Sequence, residues 1–385
     1  MLSTPTRRAF LLATGAALIG GCIGGKERVA KRGRGTDTMN EYRDEVTGAR
    51  VRMLTTGPQR DWVFYQTHPM WTPGMRHLMF YSDRSGASTL WALDMHSGEL
   101  RPLIDGPAGT AVLARGDDRL YFLRDREVLV THVEAAFRGA PKAELVSTLP
   151  TFAESSEGGF TLDANEKVLY TGAVFEKDKK WGVLALDLAS GAWRKVAETD
   201  FRVGHFQANP ERSGVIMFCW ETGGDAPQRT WTVNADGTGL RPVYKETYDE
   251  WVTHEAWWGP DRIVFTVWPY DEERTRQPHG IFSADFATGA HTVHTQYKAW
   301  HTHGSPDGQW ILGDDFDRNL WLVNASTNER RLLTQGHLGK DCKTHPHASF
   351  TPDSKSIVFT SSKNGTDNVF LVDLPDWDSL PKLTT

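Results

Sequence analysis

The stretch that decides the fold reads Trp71-Thr72-Pro73-Gly74, then His77-Leu78-Met79-Phe80-Tyr81, then Thr89-Leu90-Trp91-Ala92-Leu93-Asp94, and closes with Ser97-Gly98-Glu99-Leu100-Arg101-Pro102-Leu103. Its plan is turn, strand, turn, strand, turn, strand. Pro, Gly, Asp and Ser mark the turns because they supply fixed or positive φ angles. The runs between them are short and rich in large apolar residues. The plan returns as Ser305-Pro306-Asp307-Gly308, Trp310-Ile311-Leu312-Gly313 and Asn319-Leu320-Trp321-Leu322-Val323. It returns again as Thr351-Pro352-Asp353-Ser354, Ser356-Ile357-Val358-Phe359-Thr360 and Asn368-Val369-Phe370-Leu371-Val372-Asp373. Weaker copies are Val168-Leu169-Tyr170 with Val183-Leu184-Ala185-Leu186-Asp187, and Gly214-Val215-Ile216-Met217-Phe218 with Trp231-Thr232-Val233.

No helical periodicity of useful length interrupts these units. A repeat of about 45 residues is propeller-blade spacing, and about seven such units fit between Arg60 and Thr385. The expected fold is therefore all-β, a seven-bladed β-propeller of four-stranded antiparallel blades. The strand-like Ala49-Arg50-Val51-Arg52-Met53-Leu54 would complete the last blade and close the ring. A β-sandwich would not repeat the Pro-Asp-Gly unit at this spacing. The repeat makes Ser305 a turn residue, not a catalytic serine, and most tryptophans blade anchors.

Upstream of the repeat the chain changes character. Thr6-Arg7-Arg8-Ala9-Phe10-Leu11-Leu12 sets two arginines before an apolar run, Phe10 to Ile19, that is too short to span a bilayer stably. That pattern is a secretory signal of the twin-arginine class. It ends Ile19-Gly20-Gly21-Cys22, which looks like a bacterial lipobox whose cysteine takes the lipid. Residues 1–22 are thus expected to be the signal, and 23–40, rich in Gly, Lys and Arg, a flexible tether. Residues 41–385 are expected to be the propeller. The expected address is the periplasm or cell surface, with the membrane touched only through the lipid.

The formal net charge is -6, and only the tether is conspicuously basic, which argues against nucleic-acid binding. Of three cysteines one belongs to the lipobox, so Cys219 and Cys342 make no disulfide framework. The chain holds 15 Trp and 14 His, which suggests a site rich in rings.

The histidines fall where a propeller gathers ligands. The residues before each innermost strand sit at one mouth of the channel. Blade one has Tyr65-Gln66-Thr67-His68-Pro69 there, blade four Gly204-His205-Phe206-Gln207, blade five Thr253-His254-Glu255, blade six Trp300-His301-Thr302-His303, and blade seven Thr344-His345-Pro346-His347. Packing does not explain a histidine from each of five blades. Two segments read His-x-His, and residues two apart in an extended segment share a side. Pro346 should keep its segment extended. Such a pair with a third histidine from the next blade makes a divalent-metal site, since imidazole suits Zn, Cu, Fe, Ni and, with oxygen co-ligands, Mn. The alternative is a hydrogen-bonded polar channel. Cys342 is either a further ligand or an inert thiol. Asp314, Asp315 and Asp317 read as solvated turn carboxylates. Arg229 follows a polar connection, Gly223 to Gln228, and is either a surface arginine or one that reaches over the mouth to fork onto a carboxylate.

With these residues in view the chain resembles the oligogalacturonate lyase family, seven-bladed propellers related in plan to TolB-like propellers. The likeness covers most of the chain after the tether. It is sharpest in Thr344-His345-Pro346-His347 with Phe350-Thr351-Pro352-Asp353, in Thr253-His254-Glu255 and in Gly204-His205-x-Gln207. Phe64-Tyr65-Gln66, Phe218-Cys219, and Arg229 with Trp231 through Asp236-Gly237-Thr238 add to it. The resemblance implies that His301, His345 and His347 hold a divalent metal, typically manganese. Where the family has a glutamine ligand this chain has Cys342, and a thiolate would favour zinc. Arg229 matches the arginine assigned to the abstracted proton, and His254 a catalytic-site histidine. His205, Gln207, Tyr65 and Gln66 match positions around the sugar, and His68 and His303, at the same mouth, join them as substrate-binding candidates.

The implied reaction is β-elimination on a uronate-containing oligosaccharide, giving a 4,5-unsaturated uronate. Because arginine holds its proton to above about pH 12, His254 is the more credible base, with Arg229 clamping the carboxylate. An exported, anchored enzyme would act on imported chains, and uronates other than pectin fragments, ulvan for example, fall within that class. The competing reading is a non-catalytic TolB-like propeller that binds a cell-envelope partner. A hydrolase is disfavoured, since no Gly-x-Ser-x-Gly element is present.

Overall fold

Short apolar strands joined by tight turns pair most readily with their chain neighbours. In the computed structural model, which describes residues 40–383 apart from 140, 178, 248–249 and 270–278, this local pairing builds seven antiparallel sheets. Among the described residues six have four strands and one has five. The signal, the lipobox and all but the last residue of the stretch read as a tether lie outside the described residues. That last residue, Asn40, already belongs to a strand, Asn40–Arg43.

Each blade is a meander in chain order. The first strands of blades two and three, three and four, five and six, and six and seven touch one another, so first strands line the axis. Blade seven is closed from the other end of the chain. Arg50–Met53 pairs with Asn368–Asp373 in the register Val51↔Val372 and Met53↔Phe370, as the sequence implies. Asn40–Arg43 then adds a fifth strand outside it.

The core lies between blades. Blade-facing residues such as Leu78, Phe80, Leu120, Phe122 and Val369 are wholly buried. The seven-sheet ring, with strands carrying nearly all the core, bears out the propeller read from the repeat. One short helix, Val133–Phe137, follows the third strand of blade two and stacks Phe137 on His77 at 4.5 Å. The apolar pattern gave no sign of it, since five residues are too few for a helical period. Ser305 is a turn residue as expected: its Oγ donates to Asp307 and accepts from the Trp310 amide.

Three first strands break their register at the same place: between Glu157 and Phe160 in blade three, Gly204 and Gln207 in blade four, and Thr253 and Ala256 in blade five. These are β-bulges, which kink a strand and re-aim the side chains they carry. Gly158 and Gly159 fill the bulge of blade three at φ +68 and +98, as glycines can. The other two hold His205 at φ 51 and His254 at φ 55. His347, just before the first strand of blade seven, sits at φ 42. The segment around Pro346 is therefore not extended throughout, contrary to the expectation from Pro346. Proline fixes its own φ and leaves that of its successor free. A left-handed non-glycine residue costs on the order of 1–3 kcal/mol and persists where the surroundings impose it, often at functional sites.

Candidate functional site

The bulges and the His347 turn converge on one tyrosine. The ring of Tyr65 lies 5.1 Å from that of His205, 5.2 Å from His347, 6.0 Å from His301 and 6.3 Å from His254, centre to centre. The His301 ring lies 4.3 Å from His254, 4.7 Å from His347 and 5.3 Å from His345. Trp300 backs the group, 4.7 Å from His254 and 5.8 Å from His345. Blades one, four, five, six and seven thus each contribute to one cluster, and blade three contributes only glycines at its bulge.

Hydrogen bonding sorts these imidazoles. His301 Nδ1 lies 2.8 Å from Asp314 Oδ2, and its backbone N–H donates to Asp314 Oδ1 at 2.6 Å. Asp314 is buried, not a solvated turn carboxylate, because it ends the second strand of blade six facing the His301 backbone. Burial pushes its carboxyl up to about 7, against the pull of the His301 amide and of His345 and Arg318. Burial, then the charge of Arg318, brings His301 down to about 3. In the tautomer whose Nδ1–H donates to Asp314, neutral His301 keeps the Nε2 lone pair for a ligand, the usual arrangement behind a metal-bound histidine.

His254 Nδ1 lies 2.8 Å from the Tyr65 hydroxyl, while its Nε2 is buried without a partner. His345 Nδ1 is likewise buried and unpartnered. Burial and then neighbouring charges hold His254 and His347 well below the usual imidazole range, and bring His345 to about 4. Neutral imidazoles are the donor chemistry a divalent ion needs, but the ring nitrogens of His301, His345 and His347 do not all lie within 4.8 Å of one another, so these rings are gathered without being closed into a ligand trio.

Arg229 is buried, not on the surface. Its Nε donates to Glu255 Oε2 at 3.1 Å and its backbone N–H to Glu246. Its guanidinium pKa is raised: burial opposes this, but Cys219, Glu255, Glu221 and Tyr65 outweigh it. His205 Nε2 lies 3.4 Å from Glu221 Oε2, and the Cys219 thiol donates to that oxygen at 3.7 Å. Among the described residues, His205, Cys219 and Glu221 are the one trio whose donor atoms all lie within 4.8 Å of one another. Burial pushes the Cys219 thiol well up, so it stays protonated, and Arg229 stands beside it. Both facts make the trio a poorer cation site than the neutral imidazoles.

The remaining predicted residues part from the cluster. Gln66, His68, Gln207 and His303 line a channel cavity of about 540 Å³ that runs toward the turns at Pro73, Pro210, Pro306 and Pro352. His303 Nδ1 accepts from the Phe350 amide at 3.4 Å, so the two histidines of the His301-Thr302-His303 segment serve different walls. Burial brings His303 and His68 each to about 4. Gln207 donates to the Glu255 carbonyl at 2.7 Å, and the Gln66 amide is buried without a partner. The Cys342 thiol donates to the Thr344 carbonyl at 3.5 Å and joins no trio of donors within 4.8 Å among the described residues.

Sequence reasoning missed Glu255, Glu221, Trp300 and Arg318. Glu255 had a signal, since it adjoins His254, but the pairing with Arg229 depends on the bulge. Arg318 sits in a turn whose direction no pattern gives.

No family model matches the chain. It is 24% identical over 392 residues to an oligogalacturonide lyase of Pectobacterium atrosepticum, spanning 88% of this chain and 97% of the relative. It is 24% identical over 388 residues, with the same shares, to an oligogalacturonate lyase of Dickeya dadantii. A solved oligogalacturonate lyase in complex with manganese superposes with a TM-score of 0.79 at 23% identity, over 90% of this chain and 99% of that one. The resemblance read from the motifs therefore extends along the whole propeller.

Proposed function

We propose, from this kinship with the oligogalacturonate lyases, that the chain is a metal-dependent lyase that cleaves uronate-containing oligosaccharides by β-elimination. The observation that carries the reading is the cluster of imidazoles gathered around Tyr65 and His301, two of them, His254 and His345, with a buried ring nitrogen that no protein group satisfies. A buried polar atom without a partner is costly, and a bound ligand or ion would relieve that cost.

In this reading His301, His345 and His347 hold a divalent ion, with Asp314 fixing His301. Manganese is the expected ion from the kinship with the oligogalacturonate lyase solved in complex with manganese, and Cys342, turned to its own loop, does not add the thiolate that would favour zinc. When bound, the ion supplies charge stabilisation for the enolate-like state that forms as C5 is deprotonated. His254 is the base: with its Nδ1 proton given to the Tyr65 oxygen, its Nε2 lone pair takes the C5 proton as the C4–O bond breaks and C4=C5 forms. Tyr65, hydrogen-bonded to His254, is the hydroxyl placed to protonate the leaving oxygen. Arg229 stays charged against Glu255 and does not act as a base, so it orients rather than abstracts. The paired arginines and lipobox support export and anchoring, so that the substrates are chains met outside the cytoplasm.

The test is metal analysis of the purified propeller together with an ultraviolet assay for unsaturated uronate on oligogalacturonides and other uronates. One equivalent of ion with rising absorbance is expected. His254→Ala should keep the ion and lose about 10²–10⁴ in rate. A protein with neither ion nor activity would return the channel to the binding-propeller reading. Ion retained by His345→Ala and lost by His205→Ala would move the metal to the His205–Cys219–Glu221 trio.

A further inference from the structure

The bulge of blade four brings three unlike donors to one point. Cys219 lies near the end of the second strand, Val215–Trp220, and Glu221 just past it. His205 reaches them from the first strand, Val203–Ala208, because the bulge sets it at φ 51 and breaks the register between Gly204 and Gln207. His205 Nε2 and the Cys219 sulfur approach the same carboxylate oxygen, Glu221 Oε2, at 3.4 and 3.7 Å. The other oxygen, Oε1, accepts the Gly223 N–H at 2.6 Å, which fixes the carboxylate and leaves Oε2 to the ring and the thiol. Gly204 stands opposite Cys219 across the two strands and is not left-handed, so its backbone does not call for glycine. Space does: a Cβ there would lie 3.1 Å from Glu221 Cβ and Oε2 and 3.3 Å from the Cys219 sulfur. The missing side chain lets the three donors close up.

We infer that His205, Cys219 and Glu221 form a second cation site, built for a thiophilic divalent ion such as zinc. The inference does not rest on the lyase reading. Zinc bonds of about 2.0–2.3 Å at tetrahedral angles set neighbouring ligand atoms about 3.3–3.8 Å apart. The separations of 3.4 and 3.7 Å already have that spacing. One sulfur, one imidazole nitrogen and one carboxylate oxygen are ordinary zinc ligands, and three of them leave a fourth position open. Solvent reaches that position, since the His205 and Glu221 side chains are 27% and 18% exposed. On binding, the ion displaces the thiol proton, which leaves to water, and Cys219 ligates as thiolate. A protonated thiol and a neighbouring guanidinium weigh against a hard ion such as manganese, but less against one that bonds strongly to sulfur. Arg229 also holds its Nε on Glu255, so two carboxylates, Glu255 and Glu221, face that one cation. Tyr65 lies 5.1 Å from His205, ring to ring, so an ion here takes one histidine from the mouth.

The experiment titrates cobalt(II) into the reduced full chain and reads the thiolate-to-cobalt charge-transfer band in the near ultraviolet, which imidazole and carboxylate ligands do not give. One equivalent should raise the band in wild type, in Cys342→Ser and in Cys22→Ser, and zinc but not manganese should abolish it. Cys219→Ser should lose the band with an unchanged circular dichroism spectrum. Glu221→Gln, which keeps the thiol, should bind cobalt at least about tenfold more weakly. A wild type without the band, or a band that survives in Cys219→Ser, overturns the assignment. Should Cys219→Ser fail to fold, an unchanged cobalt affinity in Glu221→Gln overturns it instead. Uronate cleavage is not read at any step, so the lyase reading stands or falls separately.

Discussion

Two histidines of blade seven's surroundings, one buried and one half-buried, make an instructive pair. His337 is wholly buried, and both of its ring nitrogens are used: Nε2 lies 2.9 Å from Thr334 Oγ1 and Nδ1 2.9 Å from Ser361 Oγ. His345, eight positions on, keeps Nδ1 buried and unbonded. Blade five repeats the contrast. His294 bonds Ser283 and Asn328, at 2.8 Å each, while His254 leaves Nε2 free. Burial alone therefore does not distinguish a working histidine from a structural one. What distinguishes them is whether the protein completes the ring's hydrogen bonds or leaves one nitrogen for something else.

The largest expected effect breaks the pair apart. His345→Ala should remove the bound ion and at least about 10³ of the activity, with little or no loss of fold stability, since an unsatisfied polar atom goes with the ring. His337→Ala should do the reverse, keeping ion and activity and losing about 2–3 kcal/mol, because a buried ring that packs on Phe359 and hydrogen-bonds both Thr334 and Ser361 is removed. Metal analysis and denaturant unfolding of the two variants decide it, and equal stability losses would dissolve the distinction.

A subtler substitution sharpens it. Asp314→Asn keeps the shape beside His301 but not the carboxylate that fixes the tautomer. Affinity for the ion should fall about 10–100-fold, read by competition with a chelator. An unchanged affinity would mean that Asp314 only satisfies the His301 backbone.

The smallest effect concerns pH. His337 is lowered to about 3 by burial, then by Lys363, with Asp44 opposing. An unfolded histidine titrates near about 6.5. Between these values the unfolded chain binds a proton that the folded chain refuses, so stability is complete above the upper value and falls as pH drops. The slope is about 1.4 kcal/mol per pH unit for each such residue once the unfolded histidine is protonated. Unfolding of the metal-free protein at several pH values should show this, and His337→Asn should reduce the slope by one proton. An identical slope in the variant would mean that His337 titrates normally.

The fold was legible because turn residues and strand lengths repeat, and ring closure by Arg50–Met53 followed from one leftover strand. The gathering of His205, His254, His301, His345 and His347 followed from the same repeat. Their aim did not. A period-two argument holds only where the backbone is extended, and left-handed φ at His205, His254 and His347 breaks it. His303 lines the channel cavity although it stands two residues from His301, and no left-handed residue between them accounts for it. Asp314 was misread because its burial depends on a loop from the neighbouring strand end; Arg229 does turn onto a carboxylate, one of the two readings the sequence left open, but the acceptor, Glu255, comes from another blade and could not be named.

Ring closure has a consequence for how the molecule is made. Arg52 bonds Asp373, a partner 321 positions away. Six blades can form from local contacts as they emerge from the ribosome, but the seventh cannot be completed until the chain's far end is available, and contacts of such sequence separation form slowly. Until then the edge of Arg50–Met53 that will meet Asn368–Asp373 is an open β-edge, ready to pair with another molecule. The strand synthesised early is the one needed last.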